Sequence, residues 1–187
     1  MEKPVQHTCP WWLLFTFDNP LRKWIHDPLK ILKPFVQPGD SILDVGCGMG
    51  YFTLALAELT GKNGRVFAAD LQPQMLAGLR RRAANAGLLD SIQLVRSTKS
   101  GIGIDTKVDF ALAFWMVHEV KQTEAFLIEI AEHLRPGGKL LIVEPVIHVS
   151  KENFERTIDI CSKIGFIPGD NPIIRFSRAI VFMKPVS

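Results

Sequence analysis

The sequence predicts a single α/β domain built on a largely parallel sheet with helices on both faces. Three observations predict it. Segments of strand character alternate with segments of helical periodicity along the chain. The strand segments are continuous apolar runs, as strands buried on both faces are. The first run ends in a glycine turn that opens a helix, "SILDVGCGMGYF", Ser41 to Phe52.

Each element has its own signal. Ser41–Val45 is short, apolar and bounded by Pro38-Gly39 and the glycine turn, so it reads as a buried strand. Tyr51–Leu59 places Phe52, Leu54, Ala55, Leu56 and Leu59 in a helical pattern that closes at the Thr60–Gly64 turn. Arg65–Ala69 is the second strand and ends at Asp70. Pro73–Ala86 is a helix stopped by Gly87, with Met75, Leu76 and Leu79 on its apolar side. Ile92–Val95 and Val108–Phe114 are the third and fourth strands. Thr123–Leu134 is a helix broken by Arg135-Pro136-Gly137-Gly138, and Lys139–Glu144 carries the fifth strand. Lys151–Ile164 is a helix ended by Gly165, and Ile173–Phe176 with Ala179–Met183 reads as a closing hairpin. Ahead of all these, Asp18-Asn19-Pro20 reads as a helix cap. Leu21, Trp24, Ile25, Leu29 and Leu32 are then expected to pack on the domain, although Pro28 interrupts the helix.

Composition narrows the class. With 187 residues the chain is expected to be one domain able to bury about 70% of its unfolded surface. A net charge of +3 is too small to argue for nucleic acid or an acidic membrane. Cys9, Cys47 and Cys161 are odd in number and widely spaced, which argues against a disulfide framework and fits a reducing cytoplasm. Cys47 and Cys161 read as small buried residues. The five histidines, His7 and His26 among them, are scattered, so no metal site is expected. No apolar run reaches the roughly 18 residues of a membrane span, and the start lacks the apolar core of a signal peptide.

Ligands of parallel α/β sheets bind beyond the carboxyl ends of the strands. That puts Gly46, Gly48, Gly50, Asp70, the loop after Phe114 and the segment after Glu144 on one rim. Asp44 beside the glycine turn would repel a doubly charged pyrophosphate and suits a cationic ligand end. Asp70 can accept from both hydroxyls of a ribose. The pair favours S-adenosylmethionine (SAM), with its ammonium and sulfonium, over a dinucleotide.

"LDVGCGMGYF", "VFAADLQPQML", "DFALAFWMVHEV" and "LRPGGKLLIVEP" resemble the successive motifs of class I SAM-dependent methyltransferases. They are most similar to the small-molecule branch that includes the ubiquinone and menaquinone biosynthesis methyltransferases. The resemblance covers roughly residues 36–185. It implies a Rossmann-like, seven-stranded, mostly parallel sheet of order 3-2-1-4-5-7-6. It divides residues 1–187 into an N-terminal helical lid, 1–35, and a SAM-binding core, 36–187. Asp44, Gly46, Cys47, Gly48 and Gly50 would form the floor under the methionine moiety, and Asp70 would hold the ribose. Leu71 and Met75 would pack near the adenine, and Phe114 and Trp115 would flank the methionine end. One departure is "VRSTKSGIG": Ser97-Thr98 stands where the family often has Gly-Asp, so Thr98 or a backbone carbonyl is expected to take over the adenine contact. S-adenosylhomocysteine (SAH) would be the product.

The acceptor side carries less signal. A sulfonium already activates its methyl group, so a base is needed only where the nucleophile arrives protonated. His118, with an ordinary pKa near 6.5, is the candidate base. Glu119 reads as a helix-start residue. Glu144 and His148 are expected to line the acceptor pocket, with Trp11, Trp12 and Phe15 closing over an apolar or aromatic small molecule. Arg80-Arg81-Arg82 reads as a solvated helix face. The loop after the fourth strand lacks the Asn/Asp-Pro-Pro-Tyr/Phe signature of base-amine methylation, so an RNA substrate is disfavoured. A SAM-binding regulatory or partner protein without methyl transfer is the alternative reading, and a homodimer is left open.

Overall fold

The structure is a computed structural model, and it describes residues 25–186. Trp11, Trp12, Phe15 and the cap at Asp18-Asn19-Pro20 lie outside the described residues, as do Cys9, Leu21 and Trp24. Helix α1, Pro28–Leu32, starts on Asp27, whose carboxylate accepts from the Lys30 N–H at 3.3 Å. Pro28 occupies the first turn, where its missing N–H costs nothing. Leu32 and, beyond the helix, Val36 are buried in the core.

The order that follows is β1 (Ser41–Val45), α2 (Tyr51–Thr60), β2 (Arg65–Asp70), α3 (Pro73–Asn85), β3 (Ile92–Arg96) and β4 (Val108–Phe114). Then come α4 (Thr123–His133), β5 (Leu134–Pro145), α5 (Lys151–Ile164), β6 (Ile167–Pro168) and β7 (Ser177–Met183). Among the described residues the sheet has seven strands in the order β3-β2-β1-β4-β5-β7-β6. The strands through β5 pair in parallel, and β7 runs antiparallel to both β5 and β6.

Side-chain alternation along each strand divides the core in two. Ile42, Val66, Ala68, Phe110 and Leu112 face α1, α2 and α3. Leu43, Val45, Phe67, Ala69, Ala111 and Ala113 face α4 and α5. The same alternation puts Asp44 and Asp70 on the first face and Glu144 on the second.

The largest departures from the sequence reading fall at two places. The first strand of the closing hairpin is Ile167–Pro168, and residues 173–176 are not in a strand. Ile174 nonetheless joins the core, while Ile173 and Phe176 are exposed. The run is apolar because it packs in part, which strand patterning cannot distinguish from pairing. The break after α4 lies inside a long β5. Leu134 pairs with Val108 and Lys139 with Phe110, and the register shift between them accommodates the Pro136-Gly137 kink.

Candidate functional site

The glycine turn leaves β1 with its backbone tied to the neighbouring strand. The N–H groups of Gly46 and Cys47 both donate to the Ala69 carbonyl, at 2.8 and 3.2 Å. The Gly48 N–H donates to Asp70 Oδ2 at 2.9 Å, and the Gln72 N–H donates to Oδ1 at 2.8 Å. Asp70 therefore fixes the turn and the start of the following helix at once. Each of its oxygens keeps a lone pair for a further donor. Burial raises its pKa, against the pull of the two backbone donors.

Asp44 is 3% exposed, and its Oδ2 accepts from the hydroxyl of Thr53 on α2 at 2.6 Å. Burial pushes its pKa up to about 7; the Thr53 bond lowers it and the nearby Asp70 charge raises it. A carboxylate held this far from water gains most from an arriving cation. Thr53 escaped the sequence reading. The available signal is its place nine residues after Asp44, near the start of the helix that the glycine turn opens.

Around this pair, the space above Gly48 is open: a Cβ there would meet nothing within 4 Å. A Cβ on Gly46 would press on Met116 at 3.0 Å, so the loop after β4 abuts the turn. Cys47 is buried, and desolvation together with the Asp44 and Asp70 charges raises its thiol pKa well above the ordinary value. It is an inert small residue there. Leu71 is exposed, and Met75 is buried at the start of α3. Thr98 lies on the surface, its hydroxyl paired with Ser100 at 2.8 Å and its N–H donating to the Gly101 carbonyl. Of the three consecutive arginines, Arg82 reaches back to the Met49 carbonyl of the turn at 3.1 Å.

An aromatic group borders the rim. Phe52 stacks on Phe114 with centroids 4.0 Å apart, and the His26 ring meets Phe114 and Trp115 edge-on. Trp115 has a positive φ of 57°, held by its N–H on the Val143 carbonyl and its indole N–H on Ser177 Oγ. His26 is buried with Nε2 against the Arg175 carbonyl at 2.7 Å, and the Tyr51 hydroxyl donates to the His26 carbonyl.

Beyond Trp115, the turn Val117–Glu119 is organised by Glu144, which is 2% exposed at the end of β5. Its carboxylate accepts from the Val117 N–H at 3.0 Å, the His118 N–H at 3.3 Å and His118 Nδ1 at 2.5 Å. The His148 ring stacks on that of His118 with centroids 5.9 Å apart. The structure thus gathers His118, Glu144 and His148, which the sequence placed on one rim without pairing them. The Glu144 bond raises the His118 pKa, partly offset by desolvation.

Among the described residues no group of three metal-ligating side chains occurs, and no helix is long and apolar enough to cross a membrane. A cavity of about 720 Å³ lies apart from the residues assigned to the cofactor, between Ile25, Asp27, Lys30 and Ile31 and the segment Ile173–Arg175.

A family model described as "Methyltransferase domain" matches residues 42–138. A demethylmenaquinone methyltransferase of Shouchella clausii is 32% identical over 151 residues, covering 76% of this chain and 63% of its own. A ubiquinone/menaquinone biosynthesis C-methyltransferase, UbiE, of Klebsiella pneumoniae is 28% identical over 156 residues, covering 80% of this chain and 62% of its own. The chain thus spans a little under two thirds of the length of these relatives. A SAM-dependent methyltransferase from Aquifex aeolicus superposes with a TM-score of 0.82 at 25% identity, covering 93% of this chain and 98% of that one. A methyltransferase structure from Methanococcus maripaludis shares the fold, with a TM-score of 0.78 at 20% identity and coverage of 99% and 96%.

Proposed function

The chain belongs to the class I SAM-dependent methyltransferases, and from that premise we propose that it transfers a methyl group to a small molecule carrying an aromatic ring. When bound, SAM supplies a methyl group already activated by its sulfonium. The residues fit such a ligand. Two buried carboxylates, Asp44 and Asp70, stand on the same face of adjacent strands, and the open backbone of Gly48 lies at the turn between them. That juxtaposition is the observation that carries the reading. Asp44 would take the ammonium end, with Gly46, Cys47 and Gly48 beneath it, and Gly50 would keep the turn against α3. Asp70 would hold the ribose, Leu71 and Met75 would lie on the adenine side, and Thr98 would stand near the adenine edge. Phe114 and Trp115 would flank the methionine end.

The acceptor class is supported by two relatives, one named for demethylmenaquinone and one for ubiquinone/menaquinone biosynthesis, and by the aromatic border at Phe114 and Trp115. His118, Glu144 and His148 would line its side of the rim. Ligand-induced stabilisation tests the cofactor half. At about 100 times its dissociation constant a ligand adds roughly 2.7 kcal/mol. For a domain of this size that is a Tm shift of about 5–10 °C. SAM or SAH should give such a shift and NAD none, and Asp70→Ala should remove most of it. A shift with NAD and none with SAH would overturn the reading. Release of SAH in the presence of a hydroquinone acceptor separates a transferase from a protein that only binds SAM.

A further inference from the structure

We infer that Arg178 is a binding residue for a carboxylate, and that the ligand carrying this carboxylate is an aromatic molecule seated at the end of β5 and the start of β7. The site is described from its own geometry, and it rests on the methyltransferase reading only in being placed on the acceptor side of the rim.

The observation is an ion pair that is not made. Arg178 is the second residue of β7 and stands directly opposite Glu144 of β5. Opposed residues of an antiparallel pair share a face, with Cβ atoms about 4.5–5.5 Å apart, so a Glu–Arg pair is the ordinary outcome. Here both Glu144 oxygens turn instead to the segment after β4. They accept from the Val117 N–H, the His118 N–H and His118 Nδ1, which leaves the guanidinium without its cross-strand partner. Among the described residues Arg178 makes no ion pair and no side-chain hydrogen bond, and its Nε is buried with nothing to donate to. A buried donor left unpaired is costly, so one retained at a rim calls for an acceptor that arrives with a ligand.

The other carboxylate near Arg178 is that of Glu152, in the first turn of α5. Its pKa is lowered by its own backbone N–H, by Ser150 and, more weakly, by Lys151 and Arg178. Glu152 is exposed and is not bonded to the guanidinium, so water screens their attraction and the fork stays available.

The surroundings select the kind of anion. Ser177, the residue before Arg178, accepts the Trp115 indole N–H at 3.0 Å. The Val146 N–H donates to the Phe176 carbonyl at 3.0 Å, which ties the segment after β5 to the start of β7. Val146, Ile147 and Phe176 on these two segments are exposed apolar side chains. Apolar surface beside a cation suits a flat ring bearing an anion better than a fully hydrated small ion. A guanidinium presents parallel N–H groups that match the two oxygens of a carboxylate. With its Nε buried the side chain is held before the ligand arrives, so less freedom is lost on binding.

Two probes of one ring system, 2-naphthoate and 2-naphthamide, test the site on the whole protein saturated with SAH. Naphthoate should bind at least about tenfold tighter by calorimetry, as expected of a charge-assisted pair. Arg178→Gln should abolish that difference. Arg178→Lys should restore only part of it, because an ammonium lacks the planar fork. Lys163→Gln removes one positive charge from the last turn of α5 and should leave the naphthoate Kd within about twofold, so net charge alone is not the cause. Acetate should bind at least about tenfold more weakly than naphthoate. Nitrogen-15 NMR should show the Arg178 Nε–H resonance moving with naphthoate and not with naphthamide, a readout that stands even where Arg178→Gln fails to fold. Equal affinity for the two naphthyl probes, an Nε–H resonance indifferent to naphthoate, or unchanged naphthoate binding in folded Arg178→Gln would overturn the inference. Acetate binding as tightly as naphthoate would overturn the aromatic ligand. Failure to bind SAM or SAH would instead remove the parent reading, and the same comparison of probes on the protein alone would still decide the anion site.

Discussion

Gly48 and Gly50 are two residues apart and answer to different constraints. Gly50 has φ +85°, and a Cβ there would lie 2.2 Å from the Cδ1 of the fully buried Leu79. Gly50→Ala should cost about 2–4 kcal/mol, read from urea unfolding, because it adds overpacking to left-handed strain. Gly48 has φ +55° with open space around it. Gly48→Ala should cost only about 1–2 kcal/mol of stability. It should weaken SAH binding at least tenfold by calorimetry, because the methyl group would occupy the space proposed for the ligand. Asp44 and Asp70 were legible as candidate site residues from their places at the strand ends. Their partners were not. Thr53 meets Asp44 only once α2 packs on β1, and the Gly48 N–H meets Asp70 only once β1 and β2 pair. These contacts come from topology, which local spacing does not encode.

At the scale of elements, the strands through β5 were legible because each is an apolar run fenced by turn residues. The closing hairpin was misplaced because Ile167–Pro168 is too short to leave a pattern, while the longer apolar run at 173–176 is only partly packed. Helix α5 shows capping at both ends. The Ser150 hydroxyl accepts from the Asn153 N–H at 3.2 Å, and Gly165 closes the helix at φ 106°. Phe154 and Cys161 are buried from this helix into the second core face, the face that also holds Glu144. Ser150→Ala should destabilise the protein by about 1 kcal/mol, measured by urea midpoint, and Ser150→Asp should keep most of that. Neither change should alter the His118 titration midpoint, because the anchor of that histidine lies on β5.

For the molecule as a whole, the buried Asp44 couples stability, pH and ligand. Its folded pKa of about 7 lies above the ordinary carboxylate value of 3.8, so the folded state holds a proton that the unfolded chain releases. The sign follows. Its contribution is fully present below about pH 4 and is lost as pH rises through about 7, by an amount on the order of 4 kcal/mol. Asp44→Asn has no such slope. The stability difference between variant and wild type should therefore shift towards the variant from pH 5 to pH 8 in paired urea titrations, with the histidine contributions common to both. A cation drawn to Asp44 binds the ionised form, so binding must first remove that proton at low pH. The Tm shift given by a fixed SAH concentration should grow between pH 5.5 and 7.5 in wild type and be largely absent in Asp44→Asn. The Asp44 contribution to the stability of the apo protein is thus smallest where the ligand binds best. A carboxylate buried at a strand end with a single hydroxyl partner is costly to the fold alone, and it becomes favourable when a cationic ligand completes the site.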